Sequence, residues 1–485
     1  MDALRPRSVL NVAAIAVVLP LALAGVAGAQ QAEPGDVGRV AEHENVQLVG
    51  HDALQGRRAY QPIIEQQGDR HIAYVGHHGG EAENPLTGQV EPNGVSIVDV
   101  TDPRQPEYLH HLAAHSGENQ SQMVQTCPGA ELPGGDPGTF YLLRTNGVDG
   151  HDIYDVTDPS DPTLVTSVVT GLVDTHKSWW ECSTGIGYLV SGVPAWGTDR
   201  MLQVFDLSDP ENPVHIRDFG LPGTQPGEDS NGRRATELHE PLYLDGKVYI
   251  GYGTHADGIL QILDNDELLN GDFDPKWPTD EQLLAPQIAR LDWPDYQGVH
   301  TTIPLLGMDV PQFADFNQGS PRDFVAVINE AGENKCDEGM HQFTYMTDVT
   351  DDAHPIPISS YAVPEDEGDF CERGGRFGAH STQWNLTENH YRNRVLWVSY
   401  FNAGVRALDV RDPYDMEDVG HFIPEVTDTT MPTGGETVIQ TNNVEVDDRG
   451  FVYIADRAGT GMHVLYPTGE LRRMTNLPPL TQNPN

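Results

Sequence analysis

The stretch Gly94-Val-Ser-Ile-Val-Asp-Val-Thr-Asp-Pro103 reads as a β-strand that runs into a turn. Branched and apolar residues favour extended backbone, and Asp-Pro ends it, because the carboxylate can accept backbone N–H groups while Pro fixes φ. The phrase returns as His151-Asp-Ile-Tyr-Asp-Val-Thr-Asp-Pro159, Leu202-Gln-Val-Phe-Asp-Leu-Ser-Asp-Pro210 and Val405-Arg-Ala-Leu-Asp-Val-Arg-Asp-Pro413. Its leading acids, Asp99, Asp155, Asp206 and Asp409, are spaced by 56, 51 and 203 residues. The long gap has room for two degenerate copies, Ile259-Leu-Gln-Ile-Leu-Asp264 and Gln342-Phe-Thr-Tyr-Met-Thr-Asp348. A last copy, Met462-His-Val-Leu-Tyr466, has lost the acid.

Working outward, each phrase is preceded by another apolar run, such as Ile72-Ala-Tyr-Val75 or Val395-Leu-Trp-Val398, and before that by a shorter one. A further run follows the turn, as in Glu107-Tyr-Leu-His-His-Leu112. About four strands recur every ~50–60 residues, the period of propeller blades. The expected fold is all-β: a seven-bladed β-propeller of four-stranded antiparallel blades around a central channel, over residues 45–470. The phrase resembles the repeat of the LVIVD family of exported propeller proteins. That resemblance implies the same fold and carries little about activity. Blades 4, 5 and 7 depart from the repeat, with inserts around Asp309–Arg322 and Lys335–His341.

Arg5 and Arg7 precede an apolar run from Val9 to Gly25, and Ala27-Gly28-Ala29 follows. This is the pattern of a secretory signal peptide over 1–29, with a linker over 30–44 and a C-terminal tail over 471–485. The mature chain is expected to be exported, to the periplasm or beyond the cell, without a membrane span and as a monomer. Of its 485 residues 73 are acidic and 28 basic, a formal charge of −45. Such a field repels phosphate backbones and anionic lipid, so nucleic acid is excluded as a partner. Four cysteines in an exported chain suggest the disulfides Cys127–Cys182 and Cys336–Cys371.

The functional signal lies in the strand that opens each unit. His176, His239, His300 and His380 stand at its start in four consecutive units, and Asn443 holds that place in the next. Their spacings of 63, 61, 80 and 63 follow the repeat. Opening strands line a propeller's channel, so the four imidazoles are expected to converge and hold one transition metal ion, Fe, Cu or Zn. The first two units lack the histidine and offer Gln61 and Gln122. Loops on the same face bring His77, His78, His255, Glu330, Tyr400 and Arg457. Glu240 and Glu330 would orient an imidazole or take a proton. Tyr400 and Arg457 would bind an oxyanion or a substrate carboxylate. Adjacent residues of a strand face opposite ways, so His77 and His78 should not share an ion. The Asp-rich turns offer ligands of the type Ca²⁺ takes.

Three readings follow. The first is a metal-dependent enzyme, of oxidoreductase type, acting on a small molecule. The second is a polysaccharide lyase or hydrolase that cleaves a glycan with His, Tyr and Arg. The third is a non-catalytic surface module that binds protein or carbohydrate.

Overall fold

The computed structural model describes residues 40–114, 120–228, 236–253, 257–294, 296–310, 321–330, 332, 341–386 and 389–480. The expected signal peptide, His255 and Cys336 therefore lie outside the described residues.

Five four-stranded antiparallel sheets follow one another along the chain. They open with the strands Ala59–Gln67 (β1), Val124–Pro128 (β2), Asp174–Glu181 (β3), Leu238–Leu244 (β4) and Val299–Met308 (β5). A nine-stranded sheet completes the chain and contains two further opening strands, Phe377–Thr382 (β6) and Thr441–Val446 (β7). Its two halves are joined in the ladder by one residue pair, Phe401 with Thr441. Each opening strand packs on the next, and β7 packs back on β1, so these strands form a closed ring. This is the architecture of a β-propeller.

The recurring phrase supplies the third strand of each unit, for example Val95–Asp99, Met201–Asp206 and Val405–Asp409. Its acids act as the sequence suggested. The Asp99, Asp155, Asp206 and Asp409 carboxylates accept the N–H two residues on, at 2.8 to 3.0 Å. The second acid of the phrase repeats the device, as Asp102 does for Arg104 N–H at 3.0 Å.

The second strands explain why the apolar runs are continuous. Ile72 and Tyr74 enter the core shared with the second unit, while Ala73 and Val75 enter the core shared with the last. Val248 and Ile250 likewise face the third unit, and Tyr249 the fifth. A strand sandwiched between two sheets buries both faces, so its apolar alternation disappears.

The ring is closed by strands from far apart in sequence. Val46–Asp52 pairs antiparallel with Gly461–Pro467. Glu42–Glu44, expected in the linker, adds an edge strand to Glu417–Ile423. The expected tail is also structured: Gly469–Met474 is helical, and Leu471 and Leu477 are buried in the core. Cys127 and Cys182 form a disulfide between neighbouring units, and Cys371 is disulfide-bonded as well.

One irregularity positions the site. Each of β1, β3, β4, β5 and β7 slips register by one residue near its start, for example between Thr175 and Ser178, Leu238 and Glu240, and Val299 and Thr301, and β6 slips by two between Phe377 and Ser381. Such bulges re-aim side chains, and here two consecutive residues of a strand turn toward the axis.

Candidate functional site

The four histidines meet in a continuous arc. Ring centroids lie 4.4 Å apart for His176 and His239, 3.8 Å for His239 and His300, and 4.1 Å for His300 and His380. All four are buried. Burial, with Arg200, Lys177 and each other as neighbouring cations, pushes every one well below the usual imidazole range, so they are neutral.

Their hydrogen bonds fix the tautomers. His239 Nδ1 donates to the His300 carbonyl at 3.2 Å, and His380 Nδ1 to the Asn442 carbonyl at 2.6 Å. The Thr301 hydroxyl donates to Glu240 Oε2 at 2.9 Å and so accepts from His300 Nδ1 at 2.7 Å. A neutral imidazole protonated at Nδ1 has a bare lone pair on Nε2. His176 and His239 present Nε2 to Nε2 at 2.8 Å, and the His300 Nε2 is buried without a partner. Glu330 stands 3.9 Å from His239 Nε2 and 3.8 Å from His380 Nε2. One ligand atom each from His300, Glu330 and His380, and likewise from His239, Glu240 and His300, falls within 4.8 Å of the others. The donor set suits a borderline metal ion, and the outward bonds at Nδ1 are the usual support of such ligands.

The first unit contributes a residue that spacing alone missed. Tyr60, not Gln61, stands at the level of the histidines, with its hydroxyl 3.3 Å from His176 Nε2. Gln61 belongs to a second layer beneath, made by the residues that follow each histidine. There Lys177 Nζ lies 3.1 Å from Glu240 Oε2, 3.3 Å from Ser381 Oγ and 3.4 Å from Gln61 Oε1. Asn443 sits in this lower layer, against Gln61 at 2.8 Å and Ser381 at 3.1 Å, and not on the rim as expected. Burial raises the Glu240 carboxyl to about 7 against the pull of Lys177. Burial also lowers the Lys177 ammonium, with Glu240 opposing. Lys177 caps the Trp384 ring at 4.3 Å.

Above the histidines the channel widens into a cavity of about 730 Å³, whose walls include Arg58, Arg200, Arg376, Arg457, Glu330 and His78. Of the expected rim, His78, Glu330 and Arg457 are here. His77 turns away to Ser96 at 2.8 Å, so the two adjacent histidines do diverge. Tyr400 is not in the cavity: its buried hydroxyl donates to the Gln342 carbonyl at 3.1 Å and accepts from Val363 N–H at 3.1 Å, which ties strands together. Glu240 is hydrogen-bonded to the histidines through Thr301, from the layer below. The arginines other than Arg457 were missed because they follow no repeat. Parity was the available signal, since Arg58 stands two residues before Tyr60 as Asp174 does before His176.

A second cavity of about 450 Å³ opens at the other end of the opening strands, lined by Glu65, Glu181, Glu445, Trp179 and Trp384 among others. The first mouth is thus rich in guanidinium groups and the second in carboxyl groups.

No family model matches this chain, and no curated protein does. Among solved structures it is similar to Raptor of Chaetomium thermophilum, with a TM-score of 0.48 and 10% identity over 90% of this chain. The match covers 29% of that chain, so this protein spans under a third of its length. It is also similar to the Cps50 (Swd1) β-propeller domain of Myceliophteria thermophila, with a TM-score of 0.47 and 9% identity over 86% of this chain and 98% of that one. A computationally designed protein, Ika8, gives a TM-score of 0.41 and 8% identity over 87% and 99%.

Proposed function

We propose that this chain is an exported, seven-bladed β-propeller metalloenzyme of the LVIVD type. In this reading the nine-stranded sheet is two blades joined at one residue pair, and His176, His239, His300 and His380 hold one Fe, Cu or Zn ion on the axis. The observation that carries it is the arrangement of three neutral imidazoles whose Nδ1 atoms are engaged outward while Nε2 is left toward a shared space. The Nε2 atoms of His176 and His239 face each other at 2.8 Å beneath an open cavity, and the buried His300 Nε2 beside them has no partner among the described residues. Redox or oxygen chemistry on a small molecule suits an all-imidazole site best.

A second reading has one observation in its favour. The strongly acidic chain nonetheless lines this cavity with four arginines, and Tyr60 contacts His176 there. That is the equipment of a lyase acting on an acidic glycan.

Elemental mass spectrometry of the mature protein tests the first reading, run beside a His239→Ala/His300→Ala double variant. About one transition metal ion per chain, lost in the variant, is expected. No metal in either protein, with unchanged stability, would overturn it and leave a binding module in front.

A further inference from the structure

Four guanidinium groups line the large cavity, and two of them have an acid in contact. Arg376 bonds Glu330 at 3.0 Å, and Arg200 bonds Asp174 at 2.7 Å. Among the described residues no hydrogen bond or ion pair engages the guanidinium of Arg58 or of Arg457. These two face Arg376, and Arg457 faces Arg58 as well. Burial and this repulsion lower both, Arg457 to about 10 with Glu330 opposing.

The cluster is expensive for the fold. A chain with 73 acids and 28 bases could pair every arginine, yet it gathers four of them at one mouth with Asp174, Asp199 and Glu330 as the acids of the same lining. The arginine backbones are held firmly. Arg376 N–H donates to Gln440 Oε1 at 2.9 Å, and Arg457 N–H donates to the Gln440 carbonyl at 2.8 Å. His78 N–H donates to the Arg58 carbonyl at 2.8 Å. The buried His78 Nε2 in the same wall has no partner. Two guanidinium groups with no hydrogen bond or ion pair among the described residues thus line a space large enough for a small molecule.

We infer that the substrate of this pocket is a small oxyanion carrying at least two negative charges, held by Arg58 and Arg457 beside the histidine arc. Guanidinium forks match carboxylate, phosphate and sulfate oxygens alike. One negative charge would leave one of the two arginines uncompensated. The inference rests on the proposed enzyme only in calling the anion a substrate, because the arginines can bind it with or without a metal ion.

Calorimetric titration at constant ionic strength tests it, with sulfate, inorganic phosphate and succinate as probes and propionate as the singly charged comparison. The protein is used as isolated and as the His239→Ala/His300→Ala variant. At least one dianion is expected to saturate a single site at least tenfold more tightly than propionate, in both proteins. Preference for phosphate or sulfate over succinate would mark a phosphate or sulfate ester, and the reverse a dicarboxylate. Arg58→Gln and Arg457→Gln should each weaken binding at least tenfold. Each should also raise Tm without ligand, because a repelling charge is gone, so misfolding cannot mimic the result. Failure of all three dianions to bind, binding untouched by both arginine substitutions, or binding lost in the histidine variant would overturn the inference.

Discussion

His176 and His239, 63 residues apart in sequence, present Nε2 to Nε2 at 2.8 Å in the floor of the arginine-lined cavity. Nitrogens about 2 Å from a common ion and at right angles stand roughly this far apart. Loading with Co²⁺ is therefore expected to give a visible absorption spectrum that His176→Ala alters. His77→Ala should leave the spectrum unchanged, because His77 is turned away to Ser96. Equal spectra for all three proteins would place the cobalt elsewhere.

The Thr301 hydroxyl links His300 Nδ1 to Glu240. Thr301→Val removes both bonds and keeps the shape. Metal affinity should fall about 10- to 100-fold, the usual cost of losing such a support. Thr301→Ser should retain it. Competition with a chromogenic chelator measures both.

Lys177 and Glu240 are a fully buried pair, 3.1 Å apart. Lys177→Met leaves a buried carboxyl without its partner and should cost about 3–5 kcal/mol in chemical denaturation. Lys177→Met/Glu240→Gln should recover much of that loss. Additive losses would show that the two residues do not act as a pair.

Glu65, in the acidic mouth, is raised by burial from 4.5 to about 7, although it accepts a hydrogen bond from Thr126. An acid that holds its proton more tightly when folded stabilises the fold at low pH. That contribution is complete below 4.5 and is lost as pH rises toward 7. Within this window the group should contribute a fall of about 1.4 kcal/mol per pH unit. Glu65→Gln can still accept from Thr126 and should flatten the stability profile there by about one proton, as read from denaturation curves at several pH values. An unchanged slope would refute the assignment.

The Cys127–Cys182 bond closes a loop of 55 residues between two neighbouring sheets. Replacing both cysteines with serine should cost about 4 kcal/mol from loop entropy. The measurement is the unfolding free energy from urea curves, with the m-value fitted separately for each protein because the uncrosslinked chain unfolds to a more expanded state.

The repeat was legible because its signals are short-range. An Asp that caps the N–H two residues on leaves the same mark in most units, and the histidine spacing inherits that period. What defeated the reading was the bulge at the mouth. Strict alternation assigns His176 and Lys177, or His300 and Thr301, to opposite faces. The register slip turns both inward, so the layer of Gln61, Lys177, Thr301 and Ser381 had no signature of its own. The same slip sends Asn443 to that layer and leaves Tyr60 level with the histidines. Tyr400 misled for another reason: a tyrosine on the right loop has the right composition for a site, but its hydroxyl is taken by backbone.

The pairing of Val46–Asp52 with Gly461–Pro467 has a consequence for how the molecule comes into being. A chain halted during synthesis after Val446 would carry every histidine of the arc and every arginine of the cavity but Arg457, yet it would lack the strand that joins its two ends. Pairings this remote in sequence are slow to form. Protease resistance measured on chains of increasing length should therefore rise abruptly only once Pro467 is included. The pocket is thus among the last features to mature.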